Sequence, residues 1–330
     1  GVLGAGTWGM ALSRMLANEG YEVIVWSAIS QEIDDMEKTH RHKNLPGMII
    51  PETIAFTKDI REVCTDKDIL LFAVPSVFVR STTKLASPFI CDGQIIVDVA
   101  KGIESETLLT MTQIIETVLK EQNSNRHVRL VALSGPTHAE EVAIDMPTDI
   151  VASSKDQAAM EYVQSVFMTS RMRVYTNPDI LGVELCGAIK NIIALASGVA
   201  TGLGFGDNTR AAILTRGIAE MKRLGIAMGC TEQTFAGLAG IGDLIVTATS
   251  MHSRNNRCGI LLGQGKAIDE AVKEVGMVVE GLNAIPAVST LAKKYHVDMP
   301  IVSCAKAVAE GTMKASDAAK ILMERPKKAE

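Results

Sequence analysis

Three glycines stand near the start of the chain in the spacing Gly4-Ala5-Gly6-Thr7-Trp8-Gly9, after the apolar pair Val2-Leu3 and before a stretch with helical spacing. Each glycine answers a different physical need. The first permits a tight turn, the second lets a diphosphate approach the backbone, and the third lets the helix lie close to the strand. Backbone N–H groups at the start of the helix then face the anion. The spacing alone is a weak signal. A strand before it, a helix after it and a second strand over Tyr21–Trp26 supply the context that makes it a dinucleotide loop. Gly4, Gly6, Thr7, Trp8 and Gly9 are the candidate cofactor contacts.

In such loops an acid at the end of the second strand, about 20 residues on, commonly binds the adenosine ribose. Here that strand ends Trp26-Ser27-Ala28, with no carboxylate. The reading is that NADPH is admitted and favoured, with NADH also used. No arginine stands at 27 or 28 to grip a 2′-phosphate, and Arg41 and Lys43 are near in sequence only.

Further along, Lys190 lies on a helical stretch among Gly187, Ala188, Ala194, Ser197 and Gly198. An ammonium among small residues is costly unless it is paired or functional. A lysine reaching to solvent from a helix edge fits the same pattern. Lys101 follows the strand-like Gln94–Val99, and the ends of such strands face a binding crevice; a surface-loop lysine is the alternative. Asp243, between Gly242 and an apolar run, reads as a helix N-cap or as an orienting carboxylate. Ser253-Arg254-Asn255-Asn256-Arg257 combines a guanidinium fork with neutral donors at a helix start, which suits a phosphate; a solvated polar turn is the alternative. His138, beside Gly135-Pro136-Thr137, reads as a loop residue rather than a base.

These residues need a scaffold. At roughly 100–200 residues per domain, 330 residues make two domains. Up to Asn177, strand-like segments alternate with helical ones: Val2–Leu3, Tyr21–Trp26, Asp68–Val74, Gln94–Val99, Arg129–Leu133, Asp149–Ser153 and Met172–Tyr175, with helices over Trp8–Asn18 and Leu108–Lys120. Short apolar runs between helices predict a parallel sheet covered on both faces, a Rossmann-like doubly wound α/β domain over 1–177. From Pro178 only helical spacing remains, at Leu181–Thr201, Thr209–Met228 and Ile285–Lys294, so 178–330 reads as an all-α domain carrying the catalytic and substrate residues.

Composition excludes several classes. Charged residues are 22% of the chain and the net charge is −5 without basic blocks, which argues against disorder and nucleic-acid binding. The six cysteines show no CxxC spacing, so neither a metal nor a disulfide framework is expected, and a reducing cytoplasm is. The apolar stretch Ile192–Gly206 is shorter than the roughly 20 residues of a membrane span and reads as a buried helix. No signal peptide is visible. The chain opens at Gly1, so a few preceding residues are expected, and the charged tail Arg325–Glu330 is expected to fray.

Ordered segments run through the whole chain: GAGTWG at 4–9, AVPS at 73–76, AKGIE at 100–104, SGPTHAEEV at 134–142, CGAIKNIIA at 186–194, AGIGDLIVT at 239–247, SRNNRCG at 253–259 and VVEG at 278–281. In this set the chain resembles the NAD(P)-dependent glycerol-3-phosphate dehydrogenases of bacterial type. It departs from them at Thr137-His138, where Ser-Phe is common, and at Ser27-Ala28, where a polar or basic pair is usual. The resemblance implies interconversion of sn-glycerol 3-phosphate and dihydroxyacetone phosphate by hydride transfer, feeding glycerophospholipid synthesis. It makes Lys190 the general acid/base. Lys101 would hold a substrate oxygen and depress the Lys190 pKa, and Asp243 would orient Lys190 and the substrate hydroxyl. Ser253, Arg254 and Asn255 become substrate-phosphate ligands, with Thr247 a further candidate and Arg254 also touching the cofactor. Gly135, Thr137 and Ala139 line the substrate and cofactor cleft, and Val278 and Glu280 lie at the far side of the cofactor. Expected partners are a small phosphorylated substrate and, as a candidate assembly, a homodimer. A 6-phosphogluconate or 3-hydroxyacid dehydrogenase pairs the same two domains, but SRNNR and GDLIVT favour the first family. A cofactor sensor without turnover would not need Lys101, Lys190 and Asp243 together.

Overall fold

The computed structural model describes residues 1–122 and 126–327; of the charged tail, residues 328–330 fall outside them. The described chain forms two compact units, residues 1–101 with 109–184, and residues 102–108 with 185–330.

The first unit is built on one sheet of eight strands: β1 (Val2–Leu3), β2 (Val23–Trp26), β3 (Ile54–Thr57), β4 (Ile69–Phe72), β5 (Ile95–Asp98), β6 (Arg129–Ser134), β7 (Thr148–Ser153) and β8 (Met172–Asn177), in the order β3-β2-β1-β4-β5-β6-β7-β8. Its helices are α1 (Thr7–Asn18), α2 (Ser30–Thr39), α3 (Ile60–Cys64), α4 (Val79–Ala86), α5 (Met111–Glu121), α6 (Ala139–Val142) and α7 (Gln157–Phe167). Alternation along the strands divides the core in two. Val2, Leu71, Ile95 and Val97 cluster with Met10, Ile33 and Phe167 of α1, α2 and α7. Leu3, Leu70, Phe72 and Ile96 cluster with Val63, Val79 and Ile115 of α3, α4 and α5. Period-2 side-chain direction is what lets one sheet carry helices on both faces.

The expectation of an all-parallel sheet needs one correction: β6 and β7 pair antiparallel. Between them lies only the four-residue helix α6, too short to cross a face of the sheet, so the chain turns back along the neighbouring strand. Two boundaries also move. The strand expected from Tyr21 begins at Val23, because Gly20 turns the chain at a φ of +88° and leaves Tyr21 exposed. The helix expected from Leu108 begins at Met111. Leu108 holds a φ of +62°, which a helix excludes, and Thr110 with Gln113 forms the capping box.

The second unit is helical. α8 (Ile180–Gly202) runs into it, followed by α9 (Asp207–Ala227), α10 (Glu232–Phe235), α11 (Asp243–Thr249), α12 (Arg254–Gly263), α13 (Ile268–Val275), α14 (Glu280–Lys294), α15 (Pro300–Ala309) and α16 (Ala315–Met323). By length and composition α8 could cross a membrane, but 89% of its most apolar window is buried inside the protein. It ends at Gly202, one residue past the expected Thr201, and the apolar stretch that runs on to Gly206 leaves the helix, with Gly204 turning at a φ of +82°.

α8 and α12 meet backbone to backbone. A Cβ at Gly198 or Gly202 would collide with the carbonyls of Asn256 or Ile260, and one at Gly259 or Gly263 with those of Leu195 or Val199. Glycine at four-residue spacing on both helices is what permits this approach. Replacing a helix-interior glycine by alanine ordinarily gains about 1 kcal/mol, whereas overpacking costs about 1–3 kcal/mol. Gly259→Ala is therefore expected to lower unfolding free energy in urea by about 1–2 kcal/mol. A gain in stability would mean that the two helices separate at no cost.

Glu220 on α9 caps α15: its carboxylate accepts from Ile301 N at 2.8 Å and from Val302 N at 3.3 Å. Burial pushes its pKa up to about 7, against the pull of these N–H donors. Because the folded state holds this proton more tightly than the unfolded one, the stabilisation is complete below the ordinary value of 4.5 and is lost as pH rises through about 7. Asp98 and Glu184 shift in the same direction and remain in both proteins. Between pH 5 and pH 8 the wild type is expected to lose more thermal stability than Glu220→Gln, which keeps the acceptor oxygen. Parallel melting curves at both pH values would refute a proton on Glu220.

Candidate active site

In the first unit the order of strands reverses between β1 and β4, and the glycine loop leaves β1 there. Gly4 holds a φ of +117°, and a Cβ on it would stand 2.7 Å from the Ala73 carbonyl oxygen. A Cβ on Gly9 would collide with the Gly4 carbonyl. A Cβ on Gly6 would meet nothing within 4 Å. The outer glycines are thus required by the chain's own packing, and the middle one leaves open space against exposed backbone. Gly6 is also the N-cap of α1, and no side chain caps that helix, so Thr7 and Trp8 begin it with N–H groups available to an anion. These residues fit the diphosphate of a dinucleotide. Ala139 is buried on α6, which packs against α1.

At the end of β2 the structure adds a partner that the sequence reading did not count. Ser27 does not stand alone: its hydroxyl donates to Glu32 Oε2 at 3.0 Å, so a carboxylate reaches the strand end from the first turn of α2. Lys43, near only in sequence by the earlier reading, lies 3.6 Å from Glu32 Oε1. An acid five residues beyond Ser27, on a following helix, was the signal available in the sequence.

Lys101, Gly135 and Thr137 are brought together. Lys101 Nζ and Thr137 Oγ1 each donate to the Gly135 carbonyl at 3.2 Å. Near the lysine in sequence, Asp98 ends β5 wholly buried, and burial, then the charge of Glu184, raises its pKa well above the ordinary range. Glu184 is itself raised by burial, although Thr110 Oγ1, Thr112 N and Thr112 Oγ1 donate to it. The sequence reading did not single out these two acids; an aspartate inside the apolar run of β5 was the visible sign.

In the second unit Lys190 is buried, with 6% of its side chain exposed. Its ammonium donates to Asp243 Oδ1 at 2.5 Å and to Thr247 Oγ1 at 2.5 Å, and Thr247 Oγ1 lies 3.2 Å from the same carboxylate oxygen. Asp243 is not an N-cap. Gly242 holds that position, and the π turn Leu238–Gly242 delivers Asp243 as the first residue of α11 with its carboxylate turned to the lysine. Thr247, one turn on, joins the lysine cluster.

Ser253 caps α12 by accepting from Asn256 N at 3.2 Å, which makes Arg254 the first helical residue. No hydrogen bond or ion pair occupies the Arg254 guanidinium among the described residues, so its five N–H groups remain to be satisfied. Asn255 is engaged at both ends: Nδ2 donates to Asn191 Oδ1 at 2.9 Å, and Oδ1 accepts from Gly281 N at 2.8 Å. One Nδ2 hydrogen is left for a ligand. This amide joins the residue after Lys190, the residue after Arg254 and the first turn of α14, where Glu280 lies and which Val278 precedes. Asn191 was present in the motif, but its part as a joint needed the fold.

A dinucleotide loop on a doubly wound sheet and a buried, paired lysine in a helical unit together describe a nicotinamide-dependent dehydrogenase. Residues 1–160 match the family described as NAD-dependent glycerol-3-phosphate dehydrogenase N-terminus, and residues 179–320 match its C-terminus. A protein of Lactobacillus delbrueckii subsp. bulgaricus named glycerol-3-phosphate dehydrogenase (NAD(P)+) 2 is 63% identical over 330 residues, which cover 100% of this chain and 98% of that one. A Fusobacterium nucleatum protein named glycerol-3-phosphate dehydrogenase (NAD(P)+) is 49% identical over 100% of this chain and 97% of its own. The crystal structure of glycerol-3-phosphate dehydrogenase from Coxiella burnetii superposes with a TM-score of 0.91 at 34% identity over 98% of each chain. The chain belongs to the NAD-dependent glycerol-3-phosphate dehydrogenase family.

Proposed function

We propose that Lys190 carries the proton in the reaction of this family, the interconversion of sn-glycerol 3-phosphate and dihydroxyacetone phosphate. The observation that carries this reading is the buried ammonium held 2.5 Å from both Asp243 and Thr247. In ketone reduction Lys190 donates a proton to the oxygen on carbon 2 as negative charge grows there, and in alcohol oxidation it takes that proton back. Asp243 holds the ammonium in place and keeps its charge compensated, and Thr247 fixes its direction. A bound nicotinamide supplies or removes the hydride at that carbon. Its diphosphate is held by the backbone of Gly4, Gly6, Thr7, Trp8 and Gly9. Lys101 offers a second ammonium to a substrate oxygen at the end of β5.

Arg254, with Ser253 and the remaining Asn255 hydrogen, takes the phosphate. A guanidinium with its fork open at a helix start suits a dianion, and binding there supplies energy away from the reacting carbon. Gly135, Thr137, Ala139, Val278 and Glu280 are assigned to the walls around substrate and cofactor. The enzyme works in the cytoplasm, where its product enters glycerophospholipid synthesis.

Lys190→Met keeps the length of the side chain and removes the transferable proton. Turnover of dihydroxyacetone phosphate is expected to fall at least about 100-fold, the lower range for lost acid/base catalysis, with cofactor affinity nearly unchanged. Near-normal turnover in a folded variant would remove Lys190 from the mechanism. Arg254→Ala is expected to raise KM for dihydroxyacetone phosphate and lower kcat/KM by about 30-fold or more, since a charged phosphate contact is worth roughly 2–5 kcal/mol. An unchanged KM would place the phosphate elsewhere.

A further inference from the structure

The glycine loop fits the diphosphate common to both nicotinamide dinucleotides, so the choice between them falls to the residues around the adenosine ribose. We propose that Glu32 selects NADH over NADPH, by accepting hydrogen bonds from the ribose diol and repelling a 2′-phosphate. The proposal rests on the dinucleotide reading of the loop.

Position is the first ground. In a doubly wound sheet the end of the second strand is where the adenosine ribose is read. β2 lies beside β1, and Gly4 N donates to the Trp26 carbonyl at 2.9 Å, so this strand end is coupled to the loop. Ser27 and Ala28 carry no charge, and Glu32 brings one to them from α2.

The second ground is how the carboxylate is held. Ser27 Oγ accepts from Ile29 N at 3.1 Å and donates to Glu32 Oε2 at 3.0 Å. That uses one of about four acceptor positions on an ionised carboxylate and leaves enough for a diol. The Glu32 side chain is 29% exposed, so it is held at the surface of the unit without being sealed from a ligand.

The same linkage occurs once more, which separates its local role from its proposed one. At the end of β3, Thr57 Oγ1 donates to Glu62 Oε2 at 2.5 Å and accepts from Asp59 N at 3.0 Å. Joining a strand to a helix is therefore a sufficient reason for the bond itself. β3, however, is an edge strand of the sheet and does not adjoin β1, whereas β2 lies beside β1 and its loop. Glu32 also draws Lys43 from a segment anchored to the loop. His42 is buried, is hydrogen-bonded to the backbone of Ala5, and accepts from Asn44 N at 3.2 Å. Glu62 stands in no such surroundings.

Among the described residues Lys43 is the ion-pair partner of Glu32, and its side chain is 72% exposed. A hydrated ammonium at that exposure moderates the field of Glu32 but does not reverse it. The expectation is a preference for NADH with NADPH still accepted, the reverse of the order read from the sequence.

Dissociation constants for NADH and NADPH can be measured on the full chain without substrate, by quenching of its two tryptophans, Trp8 in the loop and Trp26 at the end of β2. The wild type is expected to bind NADH about tenfold more tightly, the lower range for a hydrogen bond to a charged group. Glu32→Gln keeps the bond to Ser27 and should bring the ratio close to one, mainly by tightening NADPH. Lys43→Ala should widen the ratio. A wild-type ratio near one or favouring NADPH, or an unchanged ratio in Glu32→Gln, overturns the proposal. Should Glu32→Gln melt early, Glu32→Leu gives the same reading. Failure of both dinucleotides to bind would strike the loop assignment as well, whereas equal binding of both would strike Glu32 alone.

Discussion

The helical unit of this protein depends on the direct contact of α8 and α12 through Gly198, Gly202, Gly259 and Gly263. Two helices with ordinary side chains lie 8–10 Å apart. Without side chains at the crossing, these two bring carbonyl oxygens of one against the glycines of the other. The closeness has a consequence in the middle of α8 and at the start of α12. It lets Asn255 reach Asn191 at 2.9 Å, which ties the residue beside Arg254 to the residue beside Lys190. The proposed proton carrier and phosphate ligand are therefore positioned by one rigid joint, and neither relies on a loop for its place.

Burial of Lys190 is tolerable only because its partners are buried with it. Asp243 and Thr247 both lie on the short helix α11, one turn apart, so the preceding π turn sets two partners at once. Breaking such a pair by removing one member commonly leaves an uncompensated charge, worth about 3–5 kcal/mol. The buried acids elsewhere follow a different course. Asp98, Glu184 and Glu220 have no cation as a principal partner, and burial moves each toward the protonated form. Desolvation acts on every one of these groups; whether it ends in an ion pair or in a held proton depends on the partner that the fold provides.

The first unit shows how a motif and its surroundings divide the labour. Gly4 and Gly9 are required by contacts within the chain, and Gly6, which no contact within the chain requires, leaves open space beside the loop. The loop therefore carries no information about which dinucleotide is bound. That information lies in the strand-to-helix connection after β2, where one hydrogen bond brings Glu32 back to Ser27.

By itself the sequence determined seven of the eight strands, missing β3, together with the helical character of the later part of the chain, the glycine loop, and the residue types at 101, 190, 243 and 254. These are legible because period, glycine spacing and an isolated charge among small residues are local signals. Tertiary structure alone decided the rest. It placed Thr247 with Lys190, made Asp243 an ion-pair partner instead of a cap, and turned Asn255 into a joint. It reversed β7 against β6 and brought a carboxylate to the end of β2. The reason is common to all of these. A side chain's partner is chosen by whichever backbone lies within about 3 Å once the elements have packed, and residues 53 or 64 positions apart along the chain carry no mark of that neighbourhood until they meet.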